Sequence, residues 1–206
     1  MGSSVTFSHT VTGSNTCLVL FSNVQADLTL TATYNGVSMS LVYKQTTTIG
    51  LLYQHCFILP GAATGTNDIV ISGGTAGTVW SAQLAQSYTG CKQTGQPDSF
   101  NSTSFAGTGD NNVSTTVVAD DCWTVYGLFP TNNDPSGVIG ENNLERLNGN
   151  GNSGDSNGTV ATGAIAGGWT FALADTDAIG VVSIAPAAAA AESGRDGRKL
   201  SLLGVG

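Results

Sequence analysis

Between Asn15 and Pro186 the chain is a succession of short segments rich in Thr, Val and Ser. Gly, Asn and Asp cut them at regular spacing, and charge is nearly absent. β-branched side chains are stiff and pack well on a pleated surface, whereas Gly, Asn and Asp accept turn conformations. The clearest segment covers residues 27–34. Leu28, Leu30, Ala32 and Tyr34 fall on one side of a two-residue period, and Thr29, Thr31 and Thr33 on the other. That alternation marks a half-buried strand. Asn35 and Gly36 follow and predict a hairpin turn, since both accept positive φ at low cost.

Residues 37–44 are the return strand. Residues 17–24 are apolar on both sides of the period and predict a strand buried on both faces. Residues 50–59 predict a central strand ended by Pro60 and Gly61. Further strands are expected over residues 5–10, 67–72, 78–88, 112–119, 122–130, 159–164, 169–173 and 178–184, with a loop from Thr89 to Ser99. Residues 131–158 are the longest polar stretch. Within them, residues 140–147 read as one short helix and residues 148–158 as a mobile surface loop. About ten to twelve strands with very little helix predict an all-β sandwich or barrel. No internal linker is evident, so residues 1–186 read as a single β domain. Residues 187–206 read as an Ala/Gly spacer and a basic-apolar tail.

Charge narrows the function. Only 10% of residues are charged, against a usual value of about 25%. With 40% apolar content this is not a disordered composition. The net charge is −8 and only six residues are Lys or Arg, too few to neutralise a phosphate backbone, so no nucleic-acid partner is expected. Lys44, Lys92 and Arg146 are the cations of residues 1–186, whereas Arg195, Arg198 and Lys199 sit in the tail. The tail then presents Leu200, Leu202, Leu203 and Val205. Apolar side chains in such a sequence are expected to be covered, here by a neighbouring subunit. Arg198, Lys199, Leu200, Leu202, Leu203 and Val205 are therefore the candidate partner-binding residues.

Residues 1–6 carry no basic segment followed by an apolar one, so synthesis in a cytoplasm without export is expected. No apolar run approaches the roughly 18 residues of a spanning helix, so no membrane partner is expected.

Chemistry-bearing clusters are sparse. Cys17, Cys56, Cys91 and Cys122 lack the close spacing of a zinc site. Cys17 and Cys122 each open an apolar strand, which makes them the candidate disulfide; four buried thiols is the other reading. His9 and His55 stand alone. The carboxylates Asp110, Asp120, Asp121, Asp134, Glu141, Glu145 and Asp155 lie mostly at turns, where Asp bonds to backbone. Residues 148–155 offer oxygen ligands for calcium but a single carboxylate, and the expectation is no metal and no cofactor. Trp80, Trp123 and Trp169 lie among apolar neighbours, which favours core packing over a sugar-stacking platform. No catalytic constellation emerges.

Three segments, in order, resemble a jelly-roll β-sandwich group of the lectin-like (concanavalin-like) type. They are residues 32–42 (ATYNGVSMSLV), 52–61 (LYQHCFILPG) and 86–94 (QSYTGCKQT), and residues 181–186 are similar to its closing strand. Such modules occur in phage structural and bacterial surface proteins. The resemblance implies an antiparallel jelly roll and a non-enzymatic role on a tailed-phage virion surface, as a capsid decoration or similar component. The expected partners are a major capsid or tail protein and further copies of the chain. It implies, as the alternative, a carbohydrate-binding module on a tail fibre or cell surface. The four cysteines and the 131–158 insertion depart from the group.

Overall fold

The computed structural model describes residues 3–50, 52–140, 143–147 and 151–188. Among them are fourteen strands and no helix, and every strand pairing is antiparallel. The all-β sandwich expected from the strand pattern is what forms. The strands divide into three sheets.

The first sheet runs β1 (Ser4–Val11), β7 (Gly65–Ser72), β3 (Thr31–Tyr34), β4 (Val37–Ser38). The second runs β5 (Ser40–Thr46), β6 (Tyr53–Pro60), β2 (Cys17–Val24), β8 (Trp80–Tyr88). The third runs β11 (Gly137–Ile139), β14 (Gly163–Ile184), β10 (Trp123–Pro130), β13 (Asn152–Asp155), β12 (Leu144–Leu147), with β9 (Ser99–Val117) on the other edge of β14.

The second sheet is the middle layer, because β2 is apolar on both faces. Leu18, Leu20 and Val24 join Phe57 and Leu59 of β6 in a core with Ile69 and Ile71 of the first sheet. Cys17, Val19 and Phe21, pointing the opposite way, join Cys56 and Ile58 in a core with Val125, Val182 and Ile184 of the third sheet. All eight residues of β2 are buried. The Asn35-Gly36 turn forms with φ of 50° and 74°, and it pairs Thr33 with Ser38 and Tyr34 with Val37.

Several expectations are corrected. The strand read over residues 27–34 begins at Thr31. The two strands read over residues 169–173 and 178–184 are one, β14, with a register shift between Phe171 and Asp175. Its partner β9 starts at Ser99, well before the expected residue 112. The β9–β14 ribbon turns back at that irregularity, opposite Gly107 and Gly109, whose φ are 137° and 92°. Trp169 and Phe171 of its outer half then pack with Ile179 and Val181 of its inner half and with Tyr126 and Leu128 of β10. Asn111 Nδ2 donates to Asp177 Oδ2 across that fold at 2.6 Å. Asp175 Oδ2 accepts from the backbone N–H groups of Thr131 and Asn133, both at 3.1 Å.

The helix read over residues 140–147 is not formed by its described part: residues 144–147 are strand β12. Nor is residues 148–158 a surface loop throughout. Asn152, Ser153, Gly154 and Asp155 are all buried in β13, between β10 and β12. Pairing on both edges satisfies this backbone, and the small side chains fit a tight layer. A Cβ on Gly154 would lie 2.9 Å from the Leu144 carbonyl oxygen.

Candidate functional site

The candidate site is a cleft of about 500 Å³ where edge strand β8 of the second sheet meets β12 and β13 of the third. Its lining includes Gln86, Tyr88, Trp123, Arg146, Leu147 and Asp155. Each is aimed there by local structure. Gln86 and Tyr88 share the face of β8 turned to the third sheet, with Leu84. Trp123 opens β10 and packs its ring 5.4 Å from that of Tyr88, tilted by 45°. Asp155 lies opposite Val125 on β13, on the side facing the second sheet. Arg146 is the extra residue of a bulge: Glu145 pairs with Gly154 and Leu147 with Ser153. A bulge re-aims the side chain it carries. Glu145 meets Trp169 Nε1 at 3.1 Å, while Arg146 reaches into the cleft.

Arg146 holds Asp155 in a two-pronged pair, Nε to Oδ2 and Nη2 to Oδ1, both 2.8 Å. Tyr88 Oη donates to Oδ2 at 3.1 Å, and the Asn157 backbone N–H donates to Oδ1 at 2.9 Å. The carboxylate is thus saturated with donors, as a buried charge requires. Its contact raises the pKa of the Arg146 guanidinium further above its ordinary value. Burial, reinforced by Asp155, holds the Tyr88 phenol well above the ordinary range. Gln86 is 8% exposed and its Oε1 has no hydrogen-bond partner among the described residues.

A second cleft, of about 610 Å³, lies at the end of β10 beside Leu52, Phe129 and residues 131–134. Its backbone amides at Thr131, Asn132 and Asn133 are spent on Asp175.

Arg198, Lys199, Leu200, Leu202, Leu203 and Val205, the residues assigned to partner binding, lie outside the described residues. The chain approaching them is pinned: Pro186 bridges to Cys91, and the Ala187 N–H donates to the Gly90 carbonyl at 2.7 Å. All four cysteines are free and buried. Cys17 and Cys122, the sequence candidates for a disulfide, belong to different clusters. Cys91 shares the cluster of Cys17, and its thiol together with burial raises the Cys17 pKa, while Cys91 Sγ donates to the Thr89 carbonyl oxygen at 3.6 Å. Of the calcium candidate residues 148–155, Asn148, Gly149 and Asn150 lie outside the described residues, and the Asp155 carboxylate is committed to Arg146. Among the described residues no group of three or more His, Cys, Asp or Glu side chains is arranged for a metal.

Trp169 is a core residue, 1% exposed, whereas Trp123 is half-buried and forms a cleft wall. Sequence reasoning missed the cleft because Arg146 and Asp155 sit in a stretch with no periodicity. The available signal was Arg146 itself, one of three cations in residues 1–186. No family model matches this chain, and comparison with curated proteins and with solved structures returns no match.

Proposed function

We propose that this chain is a non-enzymatic structural protein of a tailed-phage virion. It serves as a capsid decoration or other surface component and attaches through Arg198, Lys199, Leu200, Leu202, Leu203 and Val205. The observation that carries the reading is the stacked body with a pinned exit. The middle sheet is covered on both faces, and Pro186 and Ala187 are tied to Cys91 and Gly90. A segment that follows starts from a fixed point on a stiff block, as an anchoring arm requires. The resemblance to lectin-like jelly-roll modules is part of the proposal. Its segments fall on the β3–β4 hairpin with the start of β5, on β6, and on the end of β8. The partners are a major capsid or tail protein and other copies of the chain, at the virion surface.

The test is deletion of residues 195–206 followed by incubation with particles lacking the chain and electron microscopy. The truncated protein is expected to fold and to leave the particles bare, while the full chain decorates them. Decoration by the truncated protein overturns the anchoring role.

A second reading, glycan recognition on a tail fibre or cell surface, is favoured by one observation: the Tyr88–Trp123 wall beside a fixed Arg146–Asp155 pair.

A further inference from the structure

We infer that the outer edge of β8, with the cleft beside it, receives residues 198–205 of a second copy of this chain as an added strand. The inference rests on the reading of those residues as partner-binding and names the surface that takes them. The cleft opens on the strand edge itself. Residues 85–89 line it in unbroken succession, although successive side chains of a strand point to opposite faces. Only an opening on the edge meets them all. Among the described residues β8 pairs with β2 alone, so its other edge presents backbone N–H and C=O groups to the cleft. Such an edge is a template for one more strand.

Just past β8 the chain already uses that edge. The Cys91 N–H donates to the Asn15 carbonyl at 2.7 Å, on the side of β2. On the other side the Lys92 N–H donates to the Ala185 carbonyl at 2.9 Å, and the Ala187 N–H to the Gly90 carbonyl at 2.7 Å. Pro186 and Cys91 form an antiparallel bridge there. Continuing the same chain in that register would set residues 189–197 opposite β8 and carry Leu200 past Trp80, the first residue of β8. Ala, Gly, Glu and Asp dominate residues 189–197, and these types are depleted in strands. The apolar side chains of the tail would miss the cleft of their own body. From residue 188 to residue 198 an extended chain spans about 35 Å, enough to leave one body and enter the edge of another.

The side-chain pattern fits the place. A two-residue period puts Leu200 and Leu202 on one face of the added strand, and Leu203 and Val205 on the other. β8 belongs to the middle layer and is apolar on both sides. Leu84 and Tyr88 join the core shared with the third sheet, and Ala85 packs on the core shared with the first. A strand beside it needs apolar residues on both faces, as β2 has. Leu147 of β12, exposed across the cleft, offers a further apolar contact.

The test uses full-length chains. Sedimentation over a concentration series is expected to show self-association, and hydrogen exchange at residues 84–88 is expected to slow with it. Leu202→Asp in the donated strand and Leu147→Lys at the exposed wall of the cleft are each expected to weaken association about tenfold or more, with the melting temperature checked in parallel. A short bis-maleimide identifies the occupant. A chain carrying Thr89→Cys, an exposed position on the cleft, is mixed with one carrying Leu202→Cys, and a covalent pair of the two is expected. Crosslinking only within single chains that carry both changes gives the edge to the chain's own tail and overturns the inference. Association untouched by both charged variants overturns it too. Absence of association and of crosslinks, with particles decorated by the full chain and bare without residues 195–206, overturns this inference alone and assigns the tail to a capsid or tail protein. Crosslinked copies together with decoration by the truncated chain uphold this inference and overturn the particle anchor.

Discussion

Gly127 of β10 and Gly180 of β14 are register partners, and together they form a notch for two rings of the middle sheet. A Cβ on Gly127 would lie 2.5 Å from the Phe21 ring, and one on Gly180 would lie 1.9 Å from the Tyr43 hydroxyl oxygen. Both rings are buried, and Tyr43 Oη donates to Gln54 Oε1 at 2.9 Å. The second and third sheets therefore approach through backbone at this point.

Gly127→Ala and Gly180→Ala are each expected to destabilise the fold by about 2–3 kcal/mol, the cost of overpacking a filled interior. Urea denaturation measures it. Combining Gly127→Ala with Phe21→Leu is expected to cost less than the sum of the single changes, since the smaller side chain vacates the contact. Strict additivity would mean that the notch does not hold the ring.

Asp177 is fully buried, and burial pushes its pKa up to about 6. Asn111 donates to it at 2.6 Å, which opposes the rise, while the charge of Asp175 adds to it. A carboxyl whose folded pKa exceeds its unfolded value of about 3.9 binds its proton more tightly when folded. Its contribution is fully present below about pH 4 and is lost as pH rises through about 6. Asp177→Asn is therefore expected to be roughly 2–3 kcal/mol more stable than the natural chain at pH 7.5 and about equal to it at pH 4. His55, held down to about 4 chiefly by burial, acts in the opposite sense as pH falls. It is present in both proteins and cancels in their difference. Denaturation midpoints across that range decide the matter, and equal stability at both ends contradicts the assignment.

Arg146 is one-third exposed but its partner Asp155 is buried. Arg146→Met is expected to cost about 2 kcal/mol, because it strands a buried carboxylate; exposure of the arginine keeps the loss below that of a fully buried pair. The double change with Asp155→Asn is expected to recover part of it. Thermal melts of the four proteins give the coupling.

The four thiols are buried, so slow reaction with a thiol reagent is expected until the protein is unfolded. If the folded chain is oxidised, peptide mapping is expected to find Cys17 joined to Cys91, the thiol of its own cluster that most affects its pKa. A Cys17–Cys122 bridge in that map would contradict this expectation.

Strands whose pattern is local are legible in the amino-acid order. The two-sided apolar run of residues 17–24 is β2, residues 50–59 hold all of β6 but Pro60, and Asn35-Gly36 is the turn it encodes. These signals survive because alternation and turn chemistry are properties of neighbouring residues. The remaining features depend on partners far along the chain. Asn152, Ser153 and Asp155 look like loop residues, yet β10 and β12 pair with both edges of their strand and bury them. The two halves of β14 are joined because β9 supplies a continuous partner. The cleft exists only because a bulge at Arg146 turns a guanidinium toward a carboxylate on β13, beside a tyrosine from another sheet. No local period encodes such a meeting, since long-range hydrogen bonding and charge pairing can override a segment's own preference for water.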